Sequence, residues 1–368
     1  MKKNILSYFF FILAFSCFIV LRVYAGKNFD GSVAETAVDP GESVLPISEA
    51  EVDVLLPEQE GMPKEPEEEE YLPGIINDEW HGDFTPVAEF SGQLPRIVCW
   101  GDSLTASFDM KTAYPDVLRQ LSGCEVINYG VESENTKMIA MREGGIRVNV
   151  KATVIPDDCQ LIPVFLRTED EGHVFFLDHG DGGVNPCSIC GIEGTLQKLN
   201  GAYYFERSSK GERISVPEGT QFKTYGMNDA KEGDVLVIFT GTNDMPDSDS
   251  VYDIIKMQRD MLEFAECDRY VVVGLTYGGI EEIEAVNEIL ANEYGDHFVD
   301  VRNYMLAFGL EDAGLSVTEG DKDDIGKGEI PRSLRRDYVH GNADYYKLTA
   351  QQIYRKMQYL GYLPKETQ

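Results

Sequence analysis

The stretch Arg96–Phe108, RIVCWGDSLTASF, contains an apolar run that ends at Trp100 and is followed directly by Gly-Asp-Ser. Short runs that are apolar on both faces are typical of parallel strands covered by helices. A residue just past the carboxyl end of such a strand lies at the edge where α/β sheets bind ligands. Gly101 permits a tight turn at that point. The sequence therefore predicts that Ser103 stands within reach at the ligand-binding edge of a sheet.

Four further runs of the same kind complete a predicted parallel sheet of five strands: EVINY (125–129), DVLVIFT (234–240), RYVVVGLT (269–276) and HFVDV (297–301). Helical patterns lie between them, at YPDVLRQL (114–121), at 251–266, at 281–294 and in the C-terminal segment from residue 343. Alternating strands and helices predict an α/β fold with right-handed crossovers.

Residues 146–232 interrupt this alternation. They contain no good helical pattern, but several short alternating runs divided by turn residues: VNVKATVI, LIPVFLRT, HVFFLDHG, AYYFERSS, ERISVPEG and TQFKTYG. The segment is too long for a loop. We therefore expect an inserted antiparallel β module at 146–232, small and sandwich- or barrel-like, which divides the α/β domain into 93–145 and 233–368.

The N-terminus predicts export. Residues 1–25 contain two lysines, then the uncharged apolar run Ile5–Leu21, then small residues at the cleavage-determining positions. The run is almost long enough to span a bilayer, so both a cleaved signal peptide and an uncleaved signal anchor fit. Residues 26–92, which include PKEPEEEE, predict an acidic disordered tether. We expect a protein at the cell surface or secreted, in contact with the membrane only through its N-terminal segment.

The net charge of −32 argues against nucleic acid as a partner, because a protein must bring cations to neutralise phosphates. The cysteines show no dense disulfide framework, and a domain of this size does not need one. Neither composition nor spacing defines the oligomeric state.

A serine becomes a useful nucleophile only beside a base, with donors for the oxyanion. Of the five histidines, His340 lies in a polar loop after the last predicted strand and before the last helix, and Asp337 precedes it by three residues. One loop can therefore hold a carboxylate against the imidazole. Candidate oxyanion donors are the backbone amides of Ser103 and Gly130 and the side-chain amide of Asn243, all at predicted strand ends.

Four short motifs, each after a strand-like run, resemble the four blocks of the GDSL/SGNH hydrolase superfamily. They are GDSLT (101–105), NYG (128–130), GTND (241–244) and DYVH (337–340), in the family's order, and the resemblance covers about 96–145 and 233–364. The resemblance implies a three-layer α/β/α sandwich with a five-stranded parallel sheet of flavodoxin-like topology. It also implies a serine ester hydrolase that needs no metal or cofactor.

Carried over to this chain, the family's residues assign a role to each block. Ser103 is then the nucleophile, His340 the base with Asp337 behind it, and Gly130 and Asn243 complete the oxyanion hole with the Ser103 amide.

Two aspartates within these motifs are expected to have supporting roles. They are Asp102, beside the nucleophile, and Asp244, which we expect to hold the loop that presents Asn243.

The chain departs from the family after the second block, where many members are glycine-rich and this chain has VESENT (131–136). Glu132 and Glu134 are expected to place negative charge close to the site. Export, a tether and a β module would suit a polymeric substrate, and no long apolar lid segment is visible. We expect removal of short acyl groups, such as acetyl, from carbohydrate or cell-wall polymer. A lipolytic esterase, or a surface binding module on an inactive scaffold, are the alternatives.

The inserted segment contains a second constellation, HVFFLDHGDGGVNPCSIC (173–190). His173, His179, Cys187 and Cys190 are residue types that suit tetrahedral zinc. The histidines, however, flank a strand-like run, and a regular strand would separate them by about 20 Å. A Cys187–Cys190 disulfide, or buried thiols beside surface histidines, explains the same residues, and we favour these over zinc.

Overall fold

The computed structural model describes residues 84–106 and 112–365. The predicted export signal and residues 26–83 of the predicted tether lie outside these ranges. Among the helices of the two described ranges, none has the length and apolar character that a membrane crossing requires.

The strands, in chain order, are β1 (Ile97–Gly101), β2 (Val126–Gly130), β3 (Val148–Val150), β4 (Thr153–Ile155), β5 (Ile162–Val164), β6 (Leu166–Thr168), β7 (Cys187–Ile189), β8 (Ile192–Leu199), β9 (Ala202–Arg207), β10 (Ile214–Val216), β11 (Thr220–Lys223), β12 (Val235–Phe239), β13 (Tyr270–Val273) and β14 (Phe298–Val299). The helices are α1 (Ser103–Ala106), α2 (Tyr114–Ser122), α3 (Thr136–Glu143), α4 (Tyr225–Asp229), α5 (Val251–Phe264), α6 (Ile280–Tyr294), α7 (Val301–Ala307), α8 (Gly309–Asp312), α9 (Glu319–Gly326) and α10 (Ala343–Tyr359).

Five strands form the predicted parallel sheet, in the order β14-β13-β12-β1-β2. Side chains alternate across it: Ile97 and Cys99 pack with residues of α2, α7 and α10, whereas Val98 and Trp100 pack with residues of α3, α5 and α6. Helices therefore cover both faces, and the predicted α/β/α sandwich is confirmed. Because strands pair in the chain order 2-1-3-4-5, the topology is that of flavodoxin.

The nine strands β3–β11 form a separate antiparallel region between α3 and α4. Seven of them make one sheet, β5-β9-β8-β7-β11-β3-β6, and β10 pairs with β4. This region has its own core, which includes Val150, Leu166, Phe205 and Phe222. An antiparallel β insertion is therefore present, as expected.

Two details of the insertion differ from the predictions. HVFFLDHG (173–180) is not a strand: the Tyr203 hydroxyl lies 2.9 Å from the backbone carbonyls of both Val174 and Phe176, so a side chain occupies positions that a neighbouring strand would use. Conversely, β7 and β8 form an unpredicted hairpin. Its turn residues Cys190 and Gly191 both have positive φ (51° and 75°). A cysteine gives no signal for such a turn, which asparagine, aspartate and glycine favour.

The end of the predicted tether packs against the C-terminal helix. The Val87 N–H donates to the Tyr359 carbonyl at 2.9 Å, and the Phe84 ring packs edge-on against the Tyr359 ring. A tether reaching residue 92 is therefore too long by several residues, because aromatic packing and a backbone hydrogen bond hold residues 84–87 on the folded domain.

Candidate active site

The carboxyl end of β1 brings Ser103 to the histidine predicted from the sequence. Ser103 begins α1 and is 7% exposed. Its Oγ lies 2.9 Å from His340 Nε2, although the two residues are 237 positions apart. His340 Nδ1 lies 3.0 Å from each of the two Asp337 carboxylate oxygens. A serine hydroxyl, an imidazole and a carboxylate are thus in direct contact, in an arrangement that is able to support nucleophilic catalysis.

The 337–340 loop is shaped around one carboxylate. Asp337 Oδ1 accepts the backbone N–H groups of Val339 at 2.9 Å and His340 at 2.8 Å. Burial raises the pKa of Asp337, but these backbone N–H donors and the His340 ring outweigh it, and the pKa lies below its ordinary value. The carboxylate therefore stays charged at neutral pH and can stabilise the cation that forms on His340.

The side chain of Asn243, in the third motif, is held by the loop that follows β2. Its Nδ2 donates to the backbone carbonyl of Glu134 at 2.8 Å. A primary amide has two N–H groups, so this bond fixes the orientation of the amide and leaves one donor for a ligand. Ser103 adds a second donor type, since the first backbone N–H groups of a helix have no acceptor within that helix.

The backbone N–H of Gly130, a predicted oxyanion donor, has an acceptor within the chain. Its N–H donates to Asn128 Oδ1 at 2.8 Å, so a neighbouring side chain already uses this amide. A Cβ at Gly130 would overlap the backbone N of Ala106 and lie 2.7 Å from its Cα. In this structure the Gly130 N–H thus has a partner within the chain, and glycine is required because β2 approaches the backbone of α1 closely.

Asp102 and Asp244, next to Ser103 and Asn243 in the sequence, each accept a backbone N–H. Asp102 is fully buried, and its Oδ1 accepts the Leu104 N–H at 2.8 Å. Burial raises the pKa of Asp102 to about 7, although the hydrogen bond from the Leu104 N–H acts to lower it. Asp244 Oδ2 accepts both the N–H and the hydroxyl of Thr136 at 2.8 Å, which ties the loop of Asn243 to the start of α3.

The Thr242 hydroxyl is close enough to Asp102 to lower its pKa, but the two groups are not aligned for a hydrogen bond. Within residues 84–106 and 112–365, neither Asp102 Oδ2 nor Thr242 Oγ1 has a hydrogen-bond partner. Only one of the two oxygens of this buried carboxyl beside Ser103 therefore has a hydrogen-bond partner in the described ranges.

Glu134 differs from the expectation that it adds negative charge to the site. It is 2% exposed, and its carboxylate pairs with the fully buried Arg142 at 2.6 Å. Burial raises the pKa of Glu134 while Arg142 lowers it. Nothing in the sequence singles out Arg142, because the ion pair joins a loop residue to the last turn of α3 and matches no known motif.

A small cavity, about 40 Å³, is lined by the residues on both sides of His340. Tyr338, which is 64% exposed, packs edge-on against Tyr277 with ring centroids 5.4 Å apart. Arg335 also lines the cavity, and its Nε is buried without a hydrogen-bond partner in the described ranges. Sequence reasoning missed this group, although DYVH itself contains the exposed tyrosine.

The zinc alternative finds no support. Within the part of the chain that the structure describes, no group of three or more His, Cys, Asp or Glu side chains could hold a metal ion. Cys187 is fully buried and Cys190 is exposed in the β7–β8 turn, and both thiols are free. The disulfide alternative is absent as well, since Cys187 is part of the buried core of the insertion whereas Cys190 is exposed in the turn.

Comparisons with known proteins find distant structural matches. No protein-family model matches the chain, and no curated protein matches it. One solved structure is described as a lipolytic protein of the G-D-S-L family from Desulfitobacterium hafniense DCB-2. It is 15% identical, with a TM-score of 0.35, over 71% of this chain and 98% of that one. Another, a member of the lipolytic G-D-S-L family from Veillonella parvula DSM 2008, is 15% identical with a TM-score of 0.34, over 70% and 94%.

By description, both proteins carry the family name that the four motifs of this chain resemble. Similarity at this level does not bear on activity. What the fold and the site define is a flavodoxin-like α/β protein with a serine, a histidine and an aspartate in contact at the carboxyl edge of its sheet.

Proposed function

We propose that the protein is a serine ester hydrolase with Ser103 as nucleophile, His340 as general base and Asp337 as the residue that orients the base. The observation that carries the proposal is the contact of Ser103 Oγ with His340 Nε2 at 2.9 Å, with Asp337 at the other ring nitrogen. Three side chains from two distant parts of the chain meet in the order that proton transfer requires.

In the first half of the reaction, Ser103 Oγ attacks the ester carbonyl carbon while its proton passes to His340 Nε2. The carbonyl oxygen becomes an oxyanion, for which the Asn243 amide and the Ser103 backbone N–H are the proposed donors. The C–O bond to the alcohol then breaks, and the alcohol leaves with the proton from His340. In the second half, a water molecule gives a proton to His340 Nε2 while its oxygen bonds to the acyl carbon. The bond from that carbon to Ser103 Oγ then breaks, the acid leaves, and His340 returns the proton to Ser103 Oγ.

For the substrate, we propose short acyl esters, such as acetyl, on carbohydrate. Val339 and Gly341, the neighbours of His340 in the sequence, line a cavity of only about 40 Å³ together with Tyr338 and Arg335. The Arg335 guanidinium is 5.9 Å from the centroid of the exposed Tyr338 ring. An exposed aromatic ring with polar neighbours suits the face of a sugar, whereas a long acyl chain needs an extended apolar trench. Export to the cell surface is proposed on the N-terminal sequence alone.

The test is hydrolysis of p-nitrophenyl acetate, butyrate and octanoate by the wild type, Ser103→Ala and His340→Ala. We expect turnover to fall with chain length and to be lost in both variants. A fluorophosphonate probe should label the wild type and not Ser103→Ala. Rates that rise toward octanoate would favour a lipolytic esterase. A folded wild type without labelling or turnover would refute the hydrolase and favour a binding module.

A further inference from the structure

Arg142 lies at the end of α3 and is bound on several sides although it is fully buried. Its Nε donates to Glu134 Oε2 at 2.7 Å, and its Nη2 donates to the Tyr129 carbonyl at 3.0 Å. Its Nη1 donates to the backbone carbonyl of Gly182. The guanidinium also lies 5.3 Å from the ring centroid of Trp100 in β1. Arginine suits such a site because its planar fork offers five donors in fixed directions.

The partners of Arg142 belong to three different parts of the molecule. Tyr129 and Trp100 are in the central sheet, Glu134 is in the loop after β2, and Gly182 is in the inserted β region. The insertion holds Arg142 a second time, because the Thr224 hydroxyl donates to the Arg142 carbonyl at 2.7 Å. Arg142 therefore connects the insertion by direct hydrogen bonds to the loop after β2 (residues 131–135), which we call the active-site loop.

Glu134 extends this connection to the proposed oxyanion donor. Its side chain is bound by Arg142, and its own backbone carbonyl accepts the Asn243 amide at 2.8 Å. A shift of Arg142 would thus move the group that orients Asn243. Small displacements of a catalytic group are costly, since about 1 Å can reduce a rate about 100-fold.

Gly182 is the point at which the insertion fits this arrangement. Its φ is +45°, and a Cβ there would overlap Val131 Cγ2 and lie 2.8 Å from Arg142 Nη1. Val131 belongs to the same loop as Glu134. The insertion therefore packs against the active-site loop so closely that only glycine fits between Val131 and Arg142.

We infer that Arg142 is a positioning residue through which the inserted β region fixes the side-chain amide of Asn243 for oxyanion binding. This inference rests on the proposed hydrolase activity. It gives the insertion a part in catalysis that is separate from any ligand that the insertion binds.

The first test compares Gly182→Ala with Gly201→Ala. Both glycines are in the insertion and have positive φ, but Gly201 has open space where a Cβ would be. The backbone strain is therefore similar, and only Gly182→Ala pushes on the loop. We expect Gly182→Ala to reduce kcat for p-nitrophenyl acetate about 10- to 100-fold with little change in KM, and Gly201→Ala to leave kcat within about twofold.

The second test is a double-mutant cycle that separates positioning from general damage. Asn243→Ala alone should reduce kcat about 10²–10³-fold. If Gly182 acts through Asn243, adding Gly182→Ala to Asn243→Ala should lower kcat by less than about twofold more. An equal fold-loss in both backgrounds would mean that the two sites are independent, and would overturn the inference.

Arg142→Lys repeats the cycle in case Gly182→Ala does not fold. Lysine keeps the charge beside Glu134 but cannot donate to Glu134, Tyr129 and Gly182 together. We expect a loss of kcat that again disappears in the Asn243→Ala background. Wild-type kcat in Arg142→Lys would overturn the inference while the hydrolase stands. A wild type without fluorophosphonate labelling would overturn the proposed function and the inference with it.

Discussion

The Asp102→Asn variant should change how the stability of the protein depends on pH. Asp102 is fully buried beside Ser103, and burial raises its pKa from 3.8 to about 7. The folded protein therefore holds this proton more tightly than the unfolded chain does. The contribution of Asp102 to the free energy of unfolding is therefore greatest below about pH 4 and is lost as the pH rises through about 7. The total loss from this one group is about 4 kcal/mol. About 3 kcal/mol of that loss falls between about pH 4.5 and 8.5.

Asparagine cannot ionise, yet its side-chain oxygen can still accept the Leu104 N–H. The free energy of unfolding of Asp102→Asn, relative to the wild type, should therefore rise by about 3 kcal/mol between about pH 4.5 and 8.5. Urea unfolding at several pH values measures it, followed by the fluorescence of Trp100, which is buried in β1. Asp116→Asn, at a carboxylate that is 55% exposed, is the control for the general effect of an Asp→Asn exchange. A constant difference for Asp102→Asn would refute the reasoning.

Three further predictions concern the site. Asp337→Asn should reduce kcat about 10²–10⁴-fold with KM nearly unchanged, because the His340 ring loses its charged acceptor; steady-state kinetics would show a smaller loss if another group orients the ring. Gly130→Ala should destabilise the fold by about 1–3 kcal/mol in urea unfolding, since the added methyl group meets the backbone of Ala106, and an unchanged midpoint would contradict that contact. Tyr338→Ala should raise KM about tenfold for acetylated sugars but not for p-nitrophenyl acetate, with Tyr338→Phe close to wild type; equal effects on both substrates would argue against sugar stacking.

The central sheet could be predicted because its signal is local. Each strand is a short apolar run, and β1 and β2 lie within one residue of the stretches 96–100 and 125–129. The Asp337–His340 contact was also predictable, because three residues of one loop suffice to make it. In the insertion the same reasoning failed twice. At 173–180 the Tyr203 hydroxyl, rather than a neighbouring strand, binds the backbone carbonyls. At β7–β8 a cysteine with positive φ forms the turn, and its residue type gave no signal for one.

Local sequence patterns predicted the α/β alternation, the place of the β insertion, and the serine, histidine and aspartate that meet at the sheet edge. Which hydrogen-bond donors lie around these three side chains depends on how distant parts of the chain pack together. The Gly130 amide is taken by the Asn128 side chain, and Asn243 is held by the carbonyl of Glu134. Arg142 joins that loop to the insertion through the carbonyl of Gly182, which lies 40 residues further along the chain than Arg142. Local apolar patterns fix strands and helices because they depend on neighbouring residues, whereas hydrogen bonds between distant buried groups form only after packing has brought them together.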